Sequence, residues 1–115
     1  MSLLNGAQTL LLQVTVPAGR WLITSELGAV NFGPGDFVRC ALFSGSRVLD
    51  GSGTFIGQAD GYPPLAMISN QAVAAPTAPT TIRLRCNTDT TASSGAYIDP
   101  GANLVVTPIT GAIIR

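Results

Sequence analysis

The two cysteines, Cys40 and Cys86, are the residues that could carry the widest range of chemistry in this chain. A cysteine becomes a nucleophile or a metal ligand when a base or a second ligand lies beside it, and histidine is the usual partner in both roles. The chain contains no histidine, and all six of its basic residues are arginines. We therefore expect neither cysteine to act in catalysis or to bind a metal.

Alternation of apolar and polar residues gives both cysteines a structural interpretation. Cys40 shares the phase of Val38, and Cys86 shares the phase of Leu84, so both side chains are expected to point into the interior of a β-sheet protein. Two alternatives follow. The cysteines are either small apolar core residues or, if their strands are neighbours, a disulfide that stabilises the fold by about 4 kcal/mol in the chain-entropy model.

The remaining residue types exclude the common classes of hydrolase. Ser-His-Asp and Ser-Lys catalysis need residues that the chain lacks, and no G-x-S-x-G turn is present. A glycosidase needs only two carboxylates, but four of the five aspartates stand beside Gly or Pro in turn contexts. We expect no enzymatic activity, no cofactor and no metal. A small hydrolase would require a carboxylate pair about 5 to 10 Å apart in a cleft.

A polar stretch after Cys86, "NTDTTASSG" at 87–95, is the candidate recognition loop. Cys86 is expected to end a core strand, so that the loop lies exposed at one end of the molecule. Aromatic side chains in loops could add a stacking surface for a sugar. The candidate recognition residues are Asn87, Thr88, Asp89, Thr90, Thr91, Ser93, Ser94, Tyr97 and Tyr62.

Three arginines are predicted on outward strand faces. Arg83 and Arg85 lie two residues apart, and Arg39 occupies the same kind of position. They could form a small basic stripe, although pairing with Glu26 or with an aspartate of a neighbouring strand or subunit is the favoured interpretation. The net charge is zero, so nucleic acid is not an expected partner.

The alternating runs predict an all-β protein. Gly- and Pro-rich breaks such as "NFGPGD" and "DGYPP" separate the runs, and "SGS" at 44–46 predicts a hairpin turn. In the first run Leu10, Leu12 and Val14 are predicted on one face. This spacing is typical of an antiparallel β-sandwich or barrel. Strands are predicted at 9–16, 20–27, 36–43, 47–57, 65–74, 80–86 and around 104–107.

Size and composition limit the possible organisation of the chain. A chain of 115 residues fits a single domain, 1–115, with its core at about 9–109 and terminal segments at 1–8 and 110–115. Charged residues make up 10% of the chain, against about 25% in ordinary soluble domains. Either uncharged polar residues cover the surface, or a large apolar part of it packs against copies of the chain. No apolar run is long enough for membrane insertion, and "MSLLNGAQ" lacks the features of a signal peptide.

The order of segments resembles the jelly-roll heads of the tumour-necrosis-factor and C1q superfamily, of the small bacterial or phage type. The segments that carry the resemblance are "VTVPAGRWLITSEL" at 14–27, "GDFVRCALFSGSRVLD" at 35–50, "TTIRLRC" at 80–86 and "GAYIDPGANLVVTPI" at 95–109. The resemblance implies a homotrimer in which one sheet of each subunit packs around the three-fold axis. That arrangement would account for the low charge content.

The resemblance and the residues together predict a non-enzymatic structural or adhesive module. It would be displayed outside the cell or on a virion surface, as a decoration or fibre protein, with a capsid, a fibre or a surface glycan as its partner. The alternative is a monomeric, lectin-like carbohydrate-binding module that uses Tyr62, Tyr97 and the 87–95 loop.

Overall fold

The computed structural model describes residues 2–4, 6–90 and 95–110. Nine strands lie within these residues and form two antiparallel sheets packed as a sandwich, which confirms the prediction of an all-β antiparallel sandwich. A single 3-10 turn, Gln58–Asp60, follows the fifth strand. The strands are β1 (Ser2–Leu3), β2 (Thr9–Val16), β3 (Trp21–Val30), β4 (Asp36–Ser44), β5 (Arg47–Ile56), β6 (Leu65–Ala74), β7 (Thr80–Thr88), β8 (Tyr97–Ile98) and β9 (Asn103–Pro108).

Sheet I consists of β1, β8, β9, β3 and β6. Strand β6 pairs along the whole of β3, from Trp21 opposite Ala74 to Val30 opposite Leu65. The other edge of β3 is divided between β9, which pairs with residues 21–26, and β8, which pairs with residues 29 and 30. Strand β1 extends the sheet beyond β8. Strands β8 and β9 therefore pair with successive parts of the same edge of β3.

Sheet II has the order β2-β7-β4-β5. The predicted hairpin turn is confirmed, because only Gly45 and Ser46 connect β4 to β5. Gly45 has a φ of 62°, a left-handed conformation that tight hairpin turns require and that glycine adopts without steric cost. Strand β7 lies between β2 and β4 and joins the two outer parts of the sheet.

The core lies between the inward faces of the two sheets. Ile23 and Leu27 of sheet I are buried in the same cluster as Leu42, Ile82 and Leu84 of sheet II. The predicted inward phases of β4 and β7 are confirmed. No helix among the described residues has the length and apolar character needed to cross a membrane.

A disulfide joins Cys40 of β4 to Cys86 of β7 inside this core. The two residues stand directly opposite each other in the β4–β7 ladder, with their Cα atoms 4.1 Å apart. Both are almost completely buried, at 2% and 0% exposure. The bond therefore cross-links the middle pair of strands in sheet II.

A β-bulge overturns the predicted orientation of Leu10. The β2–β7 register shifts between Leu10 and Leu12, so Leu11 is an extra residue without an opposite partner. Leu10 consequently lies opposite the outward residue Arg85 and is 46% exposed, whereas Leu12 lies opposite the buried residue Leu84. Because side-chain orientation has a period of two, one extra residue moves every preceding side chain to the other face.

The N-terminal segment contributes to the core, which differs from the predicted core boundary at residue 9. Strand β1 pairs Ser2 with Ile98 and Leu3 with Tyr97. The next residue, Leu4, is completely buried, and its backbone N–H donates to the carbonyl of Ala96 at 2.8 Å. A two-residue strand carries too short a pattern to be predicted from alternation.

Removal of the disulfide should lower the free energy of unfolding by about 4 kcal/mol, because the bond closes a long loop in the unfolded chain. The variant is Cys40→Ala with Cys86→Ala, and urea denaturation followed by tryptophan fluorescence measures the change. Wild-type protein refolded under reducing conditions is the control that separates the cross-link from the lost packing of two sulfur atoms. Equal stability of oxidised and reduced wild type would contradict the prediction.

Candidate functional site

The predicted recognition loop begins later than the sequence indicated, because β7 continues for two residues past Cys86. Asn87 pairs with Arg39, and Thr88 pairs with Val38 of β4. Thr88 is completely buried, and its hydroxyl donates to the carbonyl of Thr90 at 3.1 Å. The prediction that Thr88 is an exposed recognition residue is therefore wrong, and Cys86 does not end the strand.

The other loop candidates are only partly described. Asp89 and Thr90 are exposed, and the backbone N–H of Thr90 lies 3.4 Å from a carboxylate oxygen of Asp36. The backbone N–H of Asp89 donates to the carbonyl of Phe37. Thr91, Ser93 and Ser94 lie outside the described residues.

The two candidate tyrosines belong to different layers of the sandwich. Tyr97 lies in β8 of sheet I, between Leu3 and Val30, and is half-buried. Tyr62 follows the 3-10 turn, is 49% exposed and packs edge-on against Phe55 of sheet II, with ring centroids 4.6 Å apart. Tyr62 therefore contacts an aromatic residue of sheet II, whereas Tyr97 belongs to sheet I, and a role for either in sugar stacking stays a prediction.

Asn31 holds together the loops at this end of the sandwich. Its buried side-chain amide donates to the carbonyls of Pro34 and Ile56, at 2.8 and 3.0 Å, and its side-chain oxygen accepts from the N–H of Gly33 at 2.9 Å. Its backbone carbonyl also accepts from Gln58. These four contacts connect the β3–β4 loop to the end of β5 and to the 3-10 turn.

The arginine row is the set Arg83, Arg85 and Arg39 on the outward face of sheet II. The β4–β7 register places Arg83 opposite Phe43, Arg85 opposite Ala41 and Arg39 opposite Asn87, so the three arginines occupy successive outward positions along two adjacent strands. Successive outward positions on a strand are separated by roughly 6.6 Å. The predicted outward positions of the three arginines are confirmed.

Each arginine of the row is held by a different neighbour. The guanidinium of Arg85 lies 5.1 Å from the ring centroid of Phe43, and Nε of Arg83 donates to the side-chain oxygen of Gln13 at 3.2 Å. The guanidinium of Arg39 lies 4.6 Å from the ring centroid of Phe37. Cation–π stacking and amide hydrogen bonds restrict these side chains and leave other N–H donors available.

The predicted charge pairing applies to Arg39 alone. Nε and Nη2 of Arg39 donate to the two carboxylate oxygens of Asp89, at 2.6 and 3.0 Å. Neither Arg83 nor Arg85 lies within ion-pair distance of a described carboxylate. The outward face of sheet II therefore carries positive charge that is not balanced locally.

The aromatic cluster, formed by Phe37, Phe55 and Tyr62, lies at one end of the arginine row. Phe37 and Phe55 are cross-strand partners whose rings meet edge to face at 5.1 Å, and Tyr62 continues the series from the following loop. Phe37 is 39% exposed. Edge-to-face pairs of this kind hold rings in fixed orientations on a surface.

Small residues form the floor between the two groups of larger side chains. Ala41 and Gly51 are directly opposite each other in the β4–β5 ladder, on the same outward face as Arg39. Arg39 leans toward Phe37, whereas Arg85 leans toward Phe43. Ala41 also lies opposite Arg85 in the β4–β7 ladder, so two small residues form the outward face directly beside this arginine.

A second concave surface is a polar cleft of about 340 Å³ at the side of sheet I. Two carboxylates, Glu26 and Asp50, line it, but Asp50 is engaged in the fold: one oxygen accepts from the backbone N–H of Gln71 at 2.9 Å and lies 3.3 Å from the amide nitrogen of Asn70. The full lining is Thr24, Ser25, Glu26, Asp50, Ser69, Asn70, Gln71 and Asn103.

No protein-family model and no curated protein sequence matches the chain. The geometry of the fold and the chemistry of its surfaces are therefore the basis of the proposed function.

Replacement of Asn31 should destabilise the protein by about 3 kcal/mol, because Asn31→Ala leaves two carbonyls and one N–H without their partner. Asn31→Asp keeps the acceptor for Gly33 and loses both donors. The exposed Asn103→Ala is the matched control, and urea denaturation measures all three variants. A loss for Asn31→Ala no larger than that for the control would show that these contacts do not hold the loops.

The pKa of Asp89 should lie below its ordinary value of 3.8, because the hydrogen bond from Arg39, with the attraction of its positive charge, stabilises the carboxylate. The resulting contribution to stability is complete above the unfolded pKa and is lost as the pH falls through the lower folded pKa. NMR titration of the Asp89 side-chain carbon measures the shift. Arg39→Gln should return the pKa towards 3.8, and an unchanged pKa in that variant would disprove the assignment.

Proposed function

We propose that this chain is a non-enzymatic jelly-roll module that assembles into a homotrimer through the outward face of sheet I. It would serve as a structural or adhesive head on a virion or on a bacterial surface. The main support for the proposal is that charged residues are distributed unequally between the two sheets.

The strand pairing supports the jelly-roll topology. The chain pairs β4 with β5, β3 with β6, β2 with β7 and β1 with β8. These are the pairings of one long antiparallel hairpin whose turn lies between β4 and β5 and whose two arms are each divided into four strands. Alternate pairs fall in different sheets, with β1·β8 and β3·β6 in sheet I and the other two in sheet II. This is the arrangement expected of a hairpin rolled into a jelly roll.

Charged residues are concentrated in sheet II. Glu26 is the one charged residue within the described strands of sheet I. The four strands of sheet II carry Asp36, Arg39, Arg47, Asp50, Arg83 and Arg85. A face that stays in water normally carries charged side chains, whereas the buried part of a subunit interface is depleted of them.

Large apolar side chains stand exposed on the low-charge sheet. Leu65 and Met67 of β6 are 53% and 60% exposed, and Val105 of β9 is 49% exposed. The uncharged residue Thr24 of β3 lies opposite Val105. Burial of these side chains against two copies of the same face would supply the hydrophobic contribution that a stable assembly needs.

The buried disulfide supports a location outside the reducing cytoplasm, because disulfides persist mainly in oxidising compartments. The absence of histidine and lysine from the sequence, together with the structural engagement of Asp50, supports a role without catalysis.

Light scattering on a size-exclusion column, over a tenfold range of concentration, should give a stable mass of three chains. Met67→Glu should reduce the mass to one chain, because it places three carboxylates on the apolar face. Leu10→Glu is the matched control: it changes a comparably exposed leucine of sheet II and should leave the mass at three chains. A single-chain mass for the wild type would overturn the proposed trimer and favour a monomeric carbohydrate-binding module.

A further inference from the structure

The outward face of sheet II has the features of a binding surface for a negatively charged ligand. We infer that the arginine row and the floor of small residues beside it, Ala41 and Gly51, bind an acidic polysaccharide, a linear sugar polymer that carries carboxylate or sulfate groups. The inference rests on the proposed adhesive role, for which it names the ligand class and the binding surface. It does not depend on the number of chains in the assembly.

Unbalanced charge is the first reason. Arg83 and Arg85 face outward without a described carboxylate in ion-pair distance. Guanidinium groups bind carboxylates, sulfates and phosphates through paired, charge-assisted hydrogen bonds. The surface therefore matches a ligand with repeated single negative charges.

Restriction of the arginines is the second reason. Arg85 is stacked on Phe43, Arg83 is tied to Gln13, and Arg39 is fixed between Phe37 and Asp89. A free arginine loses conformational entropy when it binds a ligand, and a side chain that is already restricted loses less. The stacking contact on Phe43 leaves N–H donors of the Arg85 guanidinium available for a ligand.

The shape of the surface favours an extended polymer over a compact ligand. The arginines lie at successive outward positions, so the row extends over roughly 13 Å along the strands. Its floor at Gly51 has no side chain, and the exposed ring of Phe37 stands at one end. A sugar ring can pack against an aromatic face while its charged substituent reaches an arginine.

A sugar polymer fits better than single-stranded nucleic acid. Binding to nucleic acid depends on the release of many counterions, and this face offers only two arginines that lack a carboxylate partner on a chain of zero net charge. The amides of Gln13 and Asn87, and the Arg39–Asp89 pair, provide the mixture of donors and acceptors that sugar hydroxyls require.

Calorimetric titration tests the inference with four probes: polygalacturonate, heparin, uncharged dextran and poly-dT. Polygalacturonate, heparin or both should bind, and dextran should not. Binding should weaken as ionic strength rises from about 0.1 M to about 1 M, because the screening length falls from roughly 10 to roughly 3 Å. The ratio between the two acidic polymers distinguishes carboxylate from sulfate as the preferred group.

Variants locate the binding surface. Arg83→Gln and Arg85→Gln should each weaken binding roughly tenfold, because each removes charge-assisted hydrogen bonds. Arg47→Gln makes the same change of charge at the exposed hairpin end and should change affinity less than twofold. Arg85→Lys keeps the charge but loses the planar fork, so it should bind more weakly than the wild type.

Gly51→Leu tests the floor of small residues. A Cβ at this position would lie 3.8 Å from the Cβ of Ala41, which is an ordinary contact, and Gly51 is exposed, so the longer side chain should extend over the floor and block binding. Thermal denaturation verifies that it folds.

Three results would overturn the inference: no binding of either acidic polymer, stronger binding of poly-dT, or an equal loss in Arg47→Gln. Light scattering on each sample shows whether the proposed trimer forms, independently of whether the acidic polymers bind. A single-chain protein that still binds polygalacturonate through Arg85 would overturn the trimer alone, and a three-chain protein without binding would overturn the ligand alone.

Discussion

The pairing of β4 with β7, fixed by the Cys40–Cys86 disulfide, is the interaction on which the rest of the structure depends. Strand β7 also pairs with β2, and β4 also pairs with β5, so the β4–β7 ladder joins these two strand pairs into sheet II. The two strands are distant in sequence, and such a contact becomes favourable only after a large loss of chain entropy. A covalent bond between directly opposed residues removes the register slips that a sheet with one buried face cannot tolerate.

Polar side chains connect the two sheets where the edge strands β5 and β6 lie side by side. Strands β5 and β6 are edges of different sheets, and Ser52 and Asp50 of β5 bond to the carbonyl of Ser69 and the N–H of Gln71 on the free edge of β6. Exposed edges with free backbone groups invite pairing with another chain. At Ser69 and Gln71 the backbone groups of β6 are already hydrogen-bonded to side chains of β5, so they are not free to pair with a strand of another chain.

The strands could be predicted from the sequence because one face of each is buried, which imposes the alternation seen in β3, β4 and β7. Two features could not. The bulge at Leu11 depends on the pairing of β2 with β7, so alternation within β2 alone predicted that Leu10 lies on the same face as Leu12, which is wrong. Strand β1 is stabilised by its pairing with β8 and by the burial of Leu4, which no local pattern reveals.

Only part of the candidate site could be predicted from the sequence. The outward phase of Arg83, Arg85 and Arg39 follows from alternation, but their neighbours do not. Gln13 comes from β2 and Asp89 from the end of β7, and only the register of sheet II brings them to the arginines. The aromatic cluster likewise combines the cross-strand pair Phe37 and Phe55 with Tyr62, which lies in the loop after the 3-10 turn.

The two outward faces can serve different functions because the core separates them. The exposed apolar side chains of sheet I, which the proposed assembly would bury, lie on the opposite side of the sandwich from the outward arginines of sheet II, which require water or a charged ligand. In an assembly built through sheet I, every copy would present its arginine row outward. Weak binding by one row would then be multiplied on a surface that displays many acidic groups, since linked sites bind with a high effective concentration. Segregation of charge between the sheets thus links the proposed assembly to the proposed recognition.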